Sequence, residues 1–251
     1  MARTAVPGRL GGRLRWLAAK LVERRTETRT ARTLVLDVPG WPGHLAGQHV
    51  DVRLTAEDGY STQRSYSVAS APADGSVELT VQRVADGEVS PYLTDVFSPR
   101  DQVEIRGPVG GWFVWRQGQP EPVLLVAGGS GIVPLMSMVR ARAAAGSRVP
   151  FRLLYSVRTP EDRLYAPELA RGLPGMDTAY VYTRSAPEGE PRPPGRITPR
   201  DVTERGWPPD VEPTCYVCGP TAFVETAAAS LVALGHDPGR IRTERFGPSG
   251  G

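Results

Sequence analysis

The run STQRSYSVASAP carries, at Arg64-Ser65-Tyr66-Ser67, a cation, an aromatic ring and a hydroxyl on one short β-prone segment. A guanidinium grips a diphosphate in a forked geometry, a tyrosine ring offers a flat face for stacking, and the Ser67 hydroxyl reaches a ring nitrogen. The plainer alternative is a strand with Tyr66 in the core and Arg64 and Ser67 outside, and these four residues leave both open. A second feature is GGSGIVP, where Gly128, Gly129 and Gly131 follow the apolar run 123–127 and open a helical pattern. Bare backbone there lets an anionic or dinucleotide ligand approach converging amides and the positive end of a helix dipole. The third glycine position of a dinucleotide fingerprint holds Pro134, which suits the first turn of a helix, and a tight turn without a ligand explains the glycines as well. A third feature is the pair Cys215 and Cys218 in TCYVCGP, a spacing that invites a redox or zinc reading. If Tyr216 and Val217 continue a strand, side chains three apart point to opposite faces, which misplaces the sulfurs for one disulfide or one metal. Two cysteines also fall short of the four thiolates of an iron–sulfur cluster, so such a centre would sit on a partner, and no metal site is expected.

The elements that position these residues change character near residue 118. Before it come TLVLDVPG, GQHVDVRL, RSYSVAS, SVELTVQRV and DQVEIRGP, short β-rich runs between turn residues, with alternation clearest over 77–84. They predict an antiparallel barrel or sandwich. After the polar stretch RQGQPEP the pattern becomes strand, glycine turn and helix in PVLLVAGGSGIVPLMSMVRARAAAG. Further strands are expected at PFRLLYSVR, TAYVYTR and PTCYVCGP, the last followed by the helix TAFVETAAASLVALG. Strands alternating with helices imply a parallel sheet covered on both faces. The fold class is thus two-domain, an antiparallel β-barrel domain over 1–118 and an α/β parallel-sheet domain over 119–251. APEGEPRPPGR is expected to be a surface loop.

The chain has 251 residues, 40% hydrophobic and 23% charged, a globular balance with apolar surface enough for two cores. Lys20 is the only lysine, and the net charge of +3 comes from arginines spread along the chain, a pattern that argues against a nucleic-acid partner. No run approaches the apolar length of a membrane span, and the start lacks a secretory signal, so a cytoplasmic location is expected. Gly8, Gly11 and Gly12 interrupt the basic start, which predicts a poorly ordered lead-in over about the first 25 residues rather than an amphipathic helix.

Several motifs in order resemble the ferredoxin–NADP reductase superfamily over about residues 32–246. AGQHVDV resembles the Pro-Gly-Gln-x-Val element before the flavin strand, with Ala46 in place of proline, and RSYS is similar to the Arg-x-Tyr-Ser flavin motif. GEVSPYL resembles the turn that holds the flavin diphosphate, GPVGGWF the barrel's end, GGSGIVP the nicotinamide-side loop, CGP the signature after the last strand, and TERF the terminal segment closing over the flavin. The chain departs from the plant-type pattern in continuing as GPSGG after Phe246.

The resemblance implies that Tyr66 stacks on the isoalloxazine, Ser67 bonds near its N5 and Arg64 contacts phosphate. It implies that Gly87, Val89 and Ser90 cradle the diphosphate through amides and the Ser90 hydroxyl, which favours FAD over FMN. Cys218 would lie near the nicotinamide C4 position, with an inert half-buried cysteine as the alternative, Glu244 beside the flavin, and Phe246 at its outer face. Ser67, Cys218 and Glu244 are the expected hydride-site residues. Gly128, Gly129, Gly131, Pro134, Gly219 and Pro220 belong to the nucleotide side. Thr183 and Arg184 in YTRS resemble the Ser-Arg pair that binds a 2′-phosphate, with Arg158 able to assist, which implies NADPH, or otherwise NADH, as donor. The expected function is an FAD-dependent NAD(P)H oxidoreductase, an electron-transport flavoprotein passing electrons to a separate protein such as a ferredoxin, an oxygenase component or another redox enzyme. The alternative is a flavin-binding adaptor subunit that never oxidises a nicotinamide nucleotide.

Overall fold

The computed structural model describes residues 14–247. The first sheet is built from β1 (Trp16–Thr28), β2 (Ala31–Asp37), β3 (His49–Thr55), β4 (Ser61–Ser67), β5 (Val77–Gln82) and β6 (Gln102–Val109). Their order is β4-β3-β6-β1-β2-β5, with every pair antiparallel. The two edges meet at a Val68–Leu79 bridge, with the Ala69 amide donating to the Glu78 carbonyl at 2.7 Å, so the sheet rolls into a barrel. Alternation puts Leu21, Leu34, Leu36, Val50, Val52, Leu79 and Ile105 inside, all with 1% exposure or less. A short helix α1 (Val89–Pro91) runs on into a π-helical turn (Tyr92–Val96), and Val89, Leu93 and Phe97 join this core.

The start of the chain corrects an expectation. The glycine-interrupted beginning predicts a poorly ordered lead-in to about residue 25, yet β1 from Trp16 is the longest strand and sits inside the sheet between β6 and β2. Trp16 is held between the Arg53 and Arg106 guanidiniums, 4.2 and 4.7 Å from its ring centre. Residues 1–13 and 248–251, with the glycines at 8, 11 and 12 and most of GPSGG, lie outside the described residues.

The second sheet is parallel throughout, in the order β11-β10-β7-β8-β9. Its strands are β7 (Val123–Gly128), β8 (Phe151–Val157), β9 (Met176–Tyr182), β10 (Thr214–Pro220) and β11 (Ile241–Phe246). Helices α2 (Ile132–Ala144) and α3 (Ala166–Ala170) cover the face carrying Val123, Leu125 and Ala127, while α4 (Pro199–Arg205) and α5 (Thr221–Ala233) cover the face carrying Leu124 and Val126. Both faces of β7 are therefore buried, which is why its sequence is continuously apolar. In β10, Tyr216 and Cys218 pack on the first face and Cys215 and Val217 on the second, so the two free thiols are separated as strand alternation requires.

Barrel and sheet share one packed layer, in which Ala31, Ala46, Ala69, Phe113 and Trp115 join α2 and β7. Polar side chains tie the same junction. Arg140 of α2 donates to Glu78 and to the Ala69 carbonyl, at 2.9 and 3.0 Å, and also to Glu168 of α3. The Tyr165 hydroxyl donates to Thr80 and its amide to Glu27, and Ser137 donates to the Ser70 carbonyl at 2.7 Å. Each buried charge in this clamp has a hydrogen-bonded partner, the condition under which a buried ion pair is tolerated.

Candidate functional site

In the barrel, Arg64 and Tyr66 lie on the face of β4 whose cross-strand partners are the core residues Val52 and Val50. Among the described residues the barrel edges meet only around the Val68–Leu79 bridge and the Ala69–Glu78 hydrogen bond, and Arg64, further along β4, is exposed. Among the described residues its guanidinium donates only within its own strand, to the Gln63 carbonyl at 2.7 Å and the Thr62 hydroxyl at 3.5 Å, leaving donors free for an anion. Tyr66 is half-buried against the barrel core, and burial pushes its phenol up to about 12, so the ring stays neutral. Opposite is the turn leading into α1. Here Gly87 donates its amide to the Val84 carbonyl at 3.1 Å, and the Ser90 hydroxyl accepts from the Val84 amide at 3.0 Å. Ser90 thus braces the turn with the hydroxyl expected to face a diphosphate, and Val89 spends its side chain in the core.

Ser67 takes the other face of β4, directly across from His49 of β3. His49 Nδ1 stands 3.6 Å from Glu244 Oε1 of β11, so the barrel's edge and the last strand of the parallel sheet converge there. Burial raises the Glu244 carboxyl to about 7, and its Oε2 is buried without a partner. Burial also lowers the His49 pKa, against the pull of Asp51. Both shifts favour the neutral forms, and 3.6 Å is too long for a hydrogen bond, so the two groups are close neighbours rather than a firm ion pair. The sequence reading did not single out His49, although it stands in AGQHVDV; nothing local shows that Glu244 folds back beside it.

Cys218 pairs in register with Glu244 but has no exposed surface, and burial, aided by the Glu244 charge, pushes its thiol well up. It is a neutral packing residue in this state, more deeply buried than the expected small side chain under a ring.

On the nucleotide side a cleft of about 460 Å³ opens at the carboxyl ends of the parallel strands. Gly128 at the end of β7 and Gly129 and Ser130 just after it line it, with Ser156 and Val157 from β8, Arg158 just after, Thr183 after β9 and Pro220 from β10, and Phe223 and Phe246 close it. A second hollow alongside gathers Arg29, Thr30, Arg158, Thr159, Glu161, Asp162 and Arg184. Amides of Arg184 and Ser185 donate to the Arg158 carbonyl at 3.0 and 3.2 Å, which fixes the two arginine loops together. Arg29 reaches this hollow from the β1–β2 turn of the barrel, far along the chain from Arg158 and Arg184, and carries no local motif.

Three expected nucleotide-side residues do not line the cleft. Pro134 is buried in the first turn of α2, and Gly219 is buried behind Pro220. At Gly131 an added Cβ would overlap the Cys218 carbonyl, so this glycine serves the close approach of α2 to β10 rather than a ligand. Gly129, at φ +54° with open space around it, remains on the cleft. Gly131→Ala is accordingly expected to destabilise the fold by about 3 kcal/mol, read as a lowered denaturant midpoint, whereas Ser130→Ala should leave it unchanged.

The buried carboxyl makes stability depend on pH. Because the folded value of Glu244, about 7, exceeds its ordinary 4.5, its contribution is fully present below pH 4.5 and is lost as pH rises through 7. Relative to Glu244→Gln, the flavin-free wild type should lose roughly 3 kcal/mol of unfolding free energy between pH 4 and pH 8. Parallel curves for the two proteins would contradict the buried carboxyl.

An antiparallel barrel packed on a parallel sheet, with a cleft at their junction, is the two-domain architecture of flavin- and nicotinamide-nucleotide-dependent oxidoreductases. A family model of the oxidoreductase FAD-binding domain matches residues 18–114, and one of the oxidoreductase NAD-binding domain matches 125–229. The ferredoxin–NAD(P)+ reductase component of naphthalene 1,2-dioxygenase/salicylate 5-hydroxylase systems from Ralstonia sp is 34% identical over 209 residues, 81% of this chain and 61% of that protein. The glycine betaine monooxygenase reductase subunit of Chromohalobacter salexigens is 30% identical, over 94% of this chain and 65% of its own length. The solved Amycolatopsis cytochrome P450 reductase superposes with a TM-score of 0.79 at 28% identity, over 98% of this chain and 74% of its own. The chain belongs to the ferredoxin–NADP reductase superfamily. It spans less than two thirds of the length of these two curated relatives. No helix among the described residues is long and apolar enough to cross a membrane.

Proposed function

We propose that this chain is a flavoprotein reductase that takes hydride from NADPH and passes electrons through FAD to a separate redox protein. The observation that carries this reading is the meeting of two half-sites: Ser67, His49 and Glu244 converge from barrel and sheet beside a strand that presents Arg64 and Tyr66, and Phe246, two residues beyond Glu244, lines the cleft at the ends of the parallel strands. The residues fit a flavin dinucleotide in charge and shape. A guanidinium without a carboxylate partner among the described residues suits a diphosphate, the neutral Tyr66 ring suits stacking, and the unpaired Glu244 Oε2 offers a buried acceptor or donor.

When bound, FAD supplies two-electron acceptance from a nicotinamide and one-electron release to a carrier. The chain's own residues bind, orient and hold protons. Arg64 anchors the diphosphate, with the Gly87–Ser90 turn as its rim. Gly128, Gly129 and Pro220 shape the nicotinamide entrance, and Phe223 and Phe246 keep water from it. Glu244, raised by burial to about 7, holds a proton beside the barrel, with His49 3.6 Å away and Ser67 across the strand from His49. Arg158 and Arg184, with Arg29, favour the 2′-phosphate of NADPH over the 2′-hydroxyl of NADH. Residues 1–118 form the flavin domain and 119–251 the nucleotide domain in this reading, and the setting is cytoplasmic.

The acceptor is a ferredoxin, an oxygenase component or another redox enzyme, in keeping with relatives whose names make them reductase components of dioxygenase and monooxygenase systems. Steady-state NADPH oxidation by the FAD-loaded protein with a one-electron acceptor such as ferricyanide tests the reading. Turnover that depends on added FAD supports it, and FAD-loaded protein that consumes neither NADPH nor NADH returns it to an adaptor that binds flavin alone.

A further inference from the structure

At the junction of barrel and sheet, Glu27 of β1 accepts a hydrogen bond on each of its oxygens. One comes from the Thr33 hydroxyl of β2 at 2.7 Å, the other from the Tyr165 amide at the head of α3 at 3.0 Å. The Thr33 and Thr80 hydroxyls stand 2.8 Å apart, and the Tyr165 hydroxyl closes the ring on Thr80 of β5. Each hydroxyl has one proton to give, and a carboxylate only accepts. The protons therefore run one way, from Tyr165 to Thr80 to Thr33 and onto Glu27, and the Tyr165 amide completes the circuit. Three barrel side chains thus hold one residue of the parallel-sheet domain. That residue is 3% exposed and sits at φ +55°, ψ +27°, a left-handed conformation that a residue other than glycine keeps only where its surroundings hold it.

The circuit joins the two walls of the arginine hollow. Glu27 stands two residues before Arg29 on the barrel wall, and Tyr165 stands three residues after Asp162 on the sheet wall. The Thr30 carbonyl accepts from the Arg83 amide at 2.8 Å, which braces the same turn on β5. The exposed Arg29 side chain makes no hydrogen bond or ion pair among the described residues, so its place in the hollow depends on the backbone of its turn. We propose that the Glu27–Thr33–Thr80–Tyr165 circuit is a cross-domain latch that sets the spacing of these walls, with Glu27 and Tyr165 as positioning residues that bring Arg29 to the 2′-phosphate of the donor. The inference rests on the NADPH reading and adds that barrel and sheet make the choice of donor jointly.

Calorimetric titration of the oxidised, FAD-loaded full chain with NADP+ and with NAD+ reads the donor site without turnover. Wild type should bind NADP+ more tightly than NAD+. Thr80→Val and Tyr165→Phe, uncharged changes that each open the circuit, should weaken NADP+ by about fivefold to tenfold and NAD+ by less than about twofold, with FAD affinity unchanged. Glu27→Gln sets an amide NH2 against one of two donors and also removes a negative charge, which alone would tighten an anion. It should nonetheless weaken NADP+. In an Arg29→Ala background the same changes should weaken NADP+ by less than about twofold more, because the latch acts through Arg29. Unchanged NADP+ affinity in Thr80→Val and Tyr165→Phe, tighter NADP+ in Glu27→Gln, equal losses for NADP+ and NAD+, or full additivity with Arg29→Ala would each overturn the latch. Loss of FAD together with NADP+ would make the circuit a general brace of the fold and overturn it likewise. A wild type that does not prefer NADP+ removes the NADPH reading and the latch with it, whereas a preference that survives in every variant sinks the latch alone.

Discussion

Replacing Arg64 with alanine is expected to weaken FAD binding by about a hundredfold while leaving the fold as stable as before. Among the described residues its guanidinium donates only to the Gln63 carbonyl and the Thr62 hydroxyl of its own strand, and it lies exposed on the barrel's open edge, so its removal strands no buried partner there. A charge-assisted fork on a diphosphate contributes about 1.5–3 kcal/mol, and its loss falls wholly on the bound state. Arg64→Lys should recover only part of the affinity, because an ammonium keeps the charge but not the two parallel donors. The measurement is flavin affinity beside a thermal melt of the flavin-free protein. A variant that purifies with full FAD would remove Arg64 from the site.

The donor side predicts a second large effect. With both Arg158 and Arg184 changed to alanine, the ratio of kcat/KM for NADPH to that for NADH should fall by about a hundredfold, most of it through KM for NADPH. The hollow holding these side chains also contains Arg29 from the barrel and is offset by Glu161 and Asp162, with Asp162 3.1 Å from Arg158. Arg184 has no carboxylate partner among the described residues and should carry the larger share. Arg184→Ala alone with an unchanged ratio would end the case for NADPH preference.

Much of this arrangement was legible in the amino-acid sequence where a local pattern and a buried face coincide. The alternation through Val77–Gln82 and the continuous apolar run of Val123–Gly128 announced their strands because one or both faces are buried there. The first strand was hidden. WLAAKLVERRTET is rich in helix formers, leaves Val22 exposed and shifts register between Leu21 and Glu23, so no clean period of two survives. The last strand shows no clean alternation, because Arg242, Glu244 and Arg245 interrupt its apolar pattern. RSYS, GGSGIVP and YTRS could be read because each motif is contiguous. His49 and Arg29 could not, because their significance depends on residues far along the chain: Glu244 in one case, Arg158 and Arg184 in the other. The buried position of Cys218 likewise follows from packing on both sides of β10, which the spacing of two cysteines does not encode.

The central claim is that the two half-sites work on one another, and its most direct test is anaerobic titration of the FAD-loaded protein with NADPH and then NADH, following the flavin's visible absorbance. The account predicts rapid bleaching by one equivalent of NADPH, with NADH slower, and loss of that preference in Arg158→Ala/Arg184→Ala. A bound flavin that keeps its full absorbance with either nucleotide would contradict it.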